Sequence, residues 1–208
     1  MYLQYGCGWC APDGWTNFDA SPTLRFERLP LLGRLYTKNV ERFPESVRYG
    51  DVVKGLPVPD ASCEGVYCSH ILEHLSRNDF DRALRETFRI LKPGGIFRLV
   101  VPDLEAAARA YVAALDKGEA NSNDAFMRAT SLGVESRRRG LRGLAMATLG
   151  NSNHLWMWDW PSIERALLTN GFAKVRQATF GDSEDAMFRA VEDEARFAAA
   201  CAAQAIKA

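Results

Sequence analysis

Strand candidates punctuate the chain at residues 2–5, 16–19, 47–49, 65–69, 96–101 and 173–180, several of them short and largely apolar runs. Runs of this length without polar alternation predict strands of a parallel sheet covered on both faces. Between the fourth and fifth runs the period changes. Phe80, Ala83, Leu84, Thr87, Phe88 and Leu91 recur at spacings of three and four, one apolar stripe on a helix over 79–91. Asn78 or Asp79 can cap its start, and Pro93-Gly94 stops it. A second helix is predicted over 104–115. A third follows Pro161, with Ile163, Ala166 and Leu167 inward and Gly171 at its end. Strands alternating with helices specify an α/β fold, a doubly wound, mostly parallel sheet of about six strands.

Two stretches break the alternation. Residues 117–153 are rich in Gly, Ser and Arg with weak periodicity, and read as an insertion between strands five and six, partly helical, in the place of a substrate cap. From Glu184 the chain is acidic and then Ala-rich, which predicts a terminal helix; no seventh strand is visible after Phe180. Only ten residues separate Gly8 from Asp19. The first crossover is therefore expected to be a loop or a single turn. The whole, 1–208, is expected to be one domain.

Composition narrows the class. Lys plus Arg and Asp plus Glu both number 26, so formal net charge is zero and nothing draws the chain to nucleic acid or anionic membrane. Five irregularly placed cysteines argue for a reducing compartment. The opening MYLQYGCGWC lacks the basic region and apolar run of a signal peptide, and no stretch approaches the roughly 20 apolar residues that span a bilayer. A soluble cytoplasmic protein, monomer or homodimer, is expected.

The chemistry is concentrated in 66–95. A strand gives way to a Ser-His turn, then Leu72-Glu73-His74, a helix, Arg89-Ile90-Leu91-Lys92-Pro93-Gly94-Gly95, and a strand ending at Pro102. Read with Gly6-Cys7-Gly8, this resembles the class I S-adenosylmethionine (SAM)-dependent methyltransferases, of Rossmann-like fold, in their compact type 11 branch. The resemblance implies SAM as cofactor and S-adenosylhomocysteine (SAH) as product. Gly6 and Gly8, lacking a Cβ, would let the methionyl part approach the backbone, with Tyr5 and Cys7 beside them. Asp19, at the end of the second strand and followed by Ala20, would accept from the ribose hydroxyls. Gly50, Asp51 and Val52 would contact adenine, and Cys68, Ser69 and His70 the methionine moiety.

Several motifs compete for the same residues. Gly6-x-Gly8-x-x-Ala11 loosely matches a dinucleotide fingerprint, but Pro12-Asp13-Gly14 breaks the helix that fingerprint needs. His70-x-x-Glu73-His74 spells a zinc motif of inverted metalloproteases. It follows a strand directly, however, and no third ligand is evident, so no metal site is expected. Cys7-x-x-Cys10 has no partner pair. Arg137, Arg138 and Arg139, with Arg128 and Arg142, read as a solvated face or as a site for an anionic acceptor such as a sugar phosphate.

Residues 153–160, NHLWMWDW, carry three Trp and a His before the third helix. They read as core anchors or as an aromatic wall for a flat or sugar acceptor, and with Gly171-Phe172 they resemble a compact branch of the same family. A hydroxyl acceptor must lose its proton near the transition state, and a histidine suits that task. His154 is the first candidate base and His70 the second. The expected function is methyl transfer from SAM to an oxygen, or alternatively a nitrogen, of a small molecule or glycan precursor. The rivals are a SAM-binding scaffold without turnover and an NAD-binding protein.

Overall fold

The computed structural model describes residues 1–30, 42–136 and 153–208. Arg137, Arg138, Arg139, Arg142 and most of the predicted insertion after Glu135 lie outside the described residues. The elements run β1 (Tyr2–Tyr5), β2 (Trp15–Asp19), α1 (Pro22–Glu27), β3 (Arg48–Tyr49), β4 (Cys63–Ser69), a 3₁₀ turn (Leu72–His74), α2 (Arg77–Ile90), β5 (Leu91–Pro102), α3 (Leu104–Asp116), α4 (Ser122–Ala129), α5 (Trp160–Thr169), β6 (Phe172–Gln177), a 3₁₀ segment (Ala186–Ala190), α6 (Glu194–Phe197) and β7 (Ala200–Lys207).

Seven strands form one sheet in the order β3-β2-β1-β4-β5-β7-β6. The pairs among β1 to β5 are parallel, and β7 runs antiparallel to both β5 and β6. The strand order reverses between β1 and β4, which opens a crevice at their carboxyl ends, where ligands of such sheets lie. No helix separates β1 from β2; the first crossover is a loop, as its ten-residue length demanded.

β7 overturns the expectation that the tail is a terminal helix. An Ala-rich run favours helix by intrinsic propensity. Here, however, Cys201 to Ala205 are all buried, threaded between two neighbouring strands, where small side chains are what the space admits. Between Glu184 and Ala200 only two short helical turns form. The expected turn at Lys92-Pro93-Gly94-Gly95 is a bulge inside β5, where the register with β4 slips between Cys63 and Gly65. At the start of α2 the cap is Ser76, whose Oγ accepts from the Asp79 amide, in place of Asn78 or Asp79.

The two faces of the sheet are packed by different layers. Leu3, Tyr5, Phe18, Leu99 and Val101 face α2 and α5, whose Phe80, Leu84, Ile163 and Leu167 are fully buried. Trp15, Tyr67 and Val100 face the other way, under Phe188 and Val191. On that second face lies Arg98, whose side chain is 1% exposed. It donates to Glu192 Oε1 (2.7 Å), Asp182 Oδ1 (2.8 Å), Gln204 Oε1 (2.7 Å) and the Thr179 carbonyl (3.1 Å). A buried guanidinium is tolerable only when its donors are satisfied in this way.

Candidate active site

A cleft of about 470 Å³ opens at the carboxyl ends of β1, β2 and β4. One wall is Tyr5-Gly6 and the start of α1 (Ser21, Pro22, Thr23); another is Gly50-Asp51-Val52; the third is His70-Ile71 with His74-Leu75. Asp19 lies between them and is 7% exposed.

The local sequence sets this shape. At Gly6 the chain turns with φ of +66°, and a Cβ there would lie 2.1 Å from Cγ1 of Ile71. Only glycine lets the β4–α2 turn close against the end of β1. Asp19 Oδ2 accepts from the Gly8 amide (3.0 Å) and Oδ1 from the Ser21 amide (2.7 Å), so one carboxylate ties the glycine loop to the start of α1. Each oxygen keeps a second lone pair, which leaves acceptor capacity for a ligand's hydroxyls. Gly50 packs its backbone against Phe18 and Leu56, and Asp51 is turned outward, paired with Lys54 at 2.8 Å.

Of the predicted cofactor residues, Tyr5, Gly6, Asp19, Ala20, Gly50, Asp51, Val52 and His70 border the cleft. Tyr5 does so by its backbone, since its hydroxyl is buried against Thr87 Oγ1 at 3.1 Å. Four others are placed differently. Cys7 packs with Leu24, Phe43 and Val47, and burial pushes its thiol up to about 12. Gly8 lies behind Asp19. Cys68 points into the core, and Ser69 opens on a separate small cavity with Gln4, Cys10 and Arg196. Alternation along β4 explains the last two: consecutive side chains leave a strand on opposite faces, so neither follows its backbone to the cleft.

Sequence reasoning missed the centre of the histidine chemistry. Glu73 is fully buried, and all three histidines of the chain surround it. Its Oε1 is 3.5 Å from His70 Nδ1, 4.0 Å from His74 Nε2 and 4.0 Å from His154 Nε2. His154 reaches this point because 153–156 is laid on the Leu72–His74 turn. Leu155 and Trp156 amides donate to the Glu73 carbonyl (2.8 and 3.2 Å), and Asn153 O meets His74 Nδ1 at 3.1 Å. His70 adopts φ of +54°, a conformation costing on the order of 1–3 kcal/mol outside glycine, which turns its ring toward Glu73. The nearby Glu73 carboxylate, 3.5 Å from Nδ1, is the first cause of a raised His70 pKa. Burial is the first cause of a lowered one at His154, which keeps that ring neutral near neutral pH.

His74 borders the cleft, and His154 stands behind it with ring centroids 5.0 Å apart. The Trp cluster divides. Trp158 is a core anchor stacked on Phe80 at 3.8 Å, Trp160 packs against the same core, and Trp156 remains 46% exposed.

Comparison with known proteins agrees with this geometry. Residues 16–99 match the family described as methyltransferase domain. That stretch is similar to the family and spans β2 to β5 of the sheet. A "probable S-adenosylmethionine-dependent methyltransferase" of Mycolicibacterium smegmatis is 38% identical over 65 residues, which are 30% of this chain and 23% of that protein. The chain thus matches less than a quarter of that relative's length. Among solved structures, a SAM-dependent methyltransferase from Archaeoglobus fulgidus aligns over 99% of this chain and 85% of its own, at 15% identity and a TM-score of 0.51. Another, from Thermotoga maritima and described as a possible histamine N-methyltransferase, aligns over 100% and 82%, at 15% identity and 0.50. At such identities the likeness concerns the fold, and the fold is the Rossmann-like one of class I methyltransferases. The cleft suits a ribose-bearing small molecule: Asp19 has the acceptor capacity a ribose needs, and 470 Å³ falls within the range of small-molecule sites.

Proposed function

We propose that the chain transfers a methyl group from SAM to a hydroxyl oxygen of a small molecule or glycan precursor in the cytoplasm. The observation that carries this reading is the shared wall of the cleft. Asp19 and the glycine turn stand on one side, and the histidine-ringed Glu73 turn on the other. Bound SAM supplies an electrophilic methyl on a sulfonium.

The chain's own residues do the rest. Asp19 holds the ribose hydroxyls, Gly50 to Val52 flank the adenine, and Gly6 with His70 lies beside the methionyl part. His154, neutral through burial, is the first candidate to take the acceptor's proton, and His70 the second. The buried Glu73 carboxylate then faces the imidazolium so formed, an arrangement that favours it electrostatically. An amine acceptor would need less help from a base, which makes the base variant a test of the methylated atom.

Titration with SAH tests the cofactor half: micromolar binding, lost at least tenfold in Asp19→Ala, is expected. In His154→Ala, turnover on hydroxyl acceptors should vanish while SAH affinity stays within about twofold. A His154→Ala protein that turns over normally removes the base assignment. Folded protein that binds no SAH removes the whole reading and favours a scaffold.

A further inference from the structure

We infer that Glu73, His74 and His154 form a binding site for a divalent first-row transition-metal ion, with zinc as the reference case. Their ligand atoms all lie within 4.8 Å of one another. Two imidazoles and one carboxylate are a donor set that suits zinc, iron or manganese and serves calcium and magnesium poorly.

Three features make this more than a coincidence of residue types. Glu73 has no solvent exposure, and neither carboxylate oxygen has a hydrogen bond. A buried carboxylate left that way is costly, and a cation between it and the two rings would satisfy it. Second, His74 Nδ1 meets the Asn153 carbonyl at 3.1 Å. A carbonyl only accepts, so Nδ1 carries the hydrogen and the Nε2 lone pair is directed at the cluster. This is the tautomer a metal ligand needs, fixed by the outer hydrogen bond that typically fixes it. Third, three protein ligands leave a coordination position open, and His74 borders the cleft. Sites that act on a substrate keep such a position.

The separations are those of a site awaiting contraction. Glu73 Oε1 stands 4.0 Å from each ring nitrogen, against roughly 3.3 Å between ligands at tetrahedral zinc. With no pair of ligand atoms more than 4.8 Å apart, an inward shift of about an ångström or less by each side chain closes the difference. The hydrogen bonds from 153–156 to the Glu73 turn keep the three ligands on one rigid unit during that shift. His70 lies outside the trio; its Nε2 is 2.9 Å from the Arg196 carbonyl and its Nδ1 faces Glu73, so it acts as a positioning residue.

The site goes beyond the role proposed above for His154, and it changes that role. A lone pair given to an ion is unavailable to a proton, so the acceptor hydroxyl would instead lose its proton to solvent under the ion's charge. The site itself does not depend on methyl transfer; only its use does.

The experiment takes chelator-treated full-length protein and titrates it calorimetrically with Zn²⁺. Co²⁺ is added separately and followed by its visible d–d absorption. One equivalent should bind with a Kd below about 1 μM, and affinity should fall at least 100-fold in both Glu73→Gln and His154→Ala. Far-UV circular dichroism and SAH titration of each variant establish that it is folded; if Glu73→Gln is not, His154→Ala carries the test. Absence of Zn²⁺ and Co²⁺ binding in folded wild-type protein overturns the site. So does binding that survives in the variants, or a thiolate charge-transfer band, which would place the ion on cysteine. SAH binding is read in the same samples, so a failed metal site and a failed methyltransferase reading give different results.

Discussion

Replacing Gly6 by alanine tests whether the cleft depends on the close approach of two loops. The new Cβ would sit 2.1 Å from Cγ1, 2.2 Å from Cδ1 and 3.3 Å from Cβ of Ile71. Rotating Ile71 relieves the first two contacts and not the third. Overpacking of this kind costs about 1–3 kcal/mol, and a φ of +66° adds roughly 1–2 kcal/mol for any residue with a Cβ. Gly6→Ala should therefore lower unfolding free energy by about 2–5 kcal/mol. Gly8, at φ of +55°, has nothing within 4 Å of its ideal Cβ. Gly8→Ala should cost only the backbone share, about 1–2 kcal/mol. Urea unfolding of both variants separates clash from backbone strain, and Ile71→Ala completes the argument. In the Gly6→Ala/Ile71→Ala double variant the 2.1 and 2.2 Å contacts are gone and only the milder 3.3 Å one stays, so its cost should fall short of the summed single costs by about 1–3 kcal/mol. Equal losses for Gly6→Ala and Gly8→Ala, or additivity within about 0.5 kcal/mol, would refute the claim that Ile71 is what requires glycine at position 6.

Arg98→Met leaves Glu192, whose side chain has no exposure, facing an uncharged neighbour, and should cost about 3–5 kcal/mol in urea unfolding. Arg176→Met, which removes a half-exposed partner of the same Asp182, should cost about 1 kcal/mol or less; comparable losses would argue against burial as the deciding variable. Burial alone would raise the Asp182 pKa, but hydrogen bonds from Arg176, the Thr179 amide and Arg98 outweigh it and hold the carboxyl at about 2. A depressed carboxyl contributes stability fully above its unfolded pKa, near 3.9, and loses it as pH falls through the folded value. After screening this amounts to about 1–2 kcal/mol between pH 5 and pH 2. Asp182→Asn should flatten that acid limb, and an unchanged limb would count against the linkage.

Much of the sheet is legible because its strands are apolar and its helices periodic. Phe80, Ala83, Leu84, Ile163, Ala166 and Leu167 are all buried as the spacing required. The short first crossover followed from counting residues. β7 was hidden because alanine's preference for helix is intrinsic, whereas its place in this sheet is decided by neighbours far along the chain. The site was legible where backbone borders the cleft, as at Gly6 and Gly50. It was less so where side-chain direction decides, as at Cys68 and Ser69. The Glu73 cluster was hidden for a third reason. Its members are written out as His70-x-x-Glu73-His74, but what completes them, His154, is adjacent only through the hydrogen bonds that dock 153–156 on that turn.

The position of β7 also governs the order in which the molecule can be assembled. β6 precedes β7 in the chain yet touches the sheet only through it, so β6 has no place to dock while β7 is still being synthesised. During that interval β5 is a bare edge with unpaired amides and carbonyls, the kind of template that recruits other chains. Arg98 lies on that edge strand. Before Glu192 and Gln204 arrive, its charge faces any chain that tries to pair there; afterwards the same charge becomes the tie that fastens the late segment down. A nascent β5 is thus protected by the residue that later holds β7 in place.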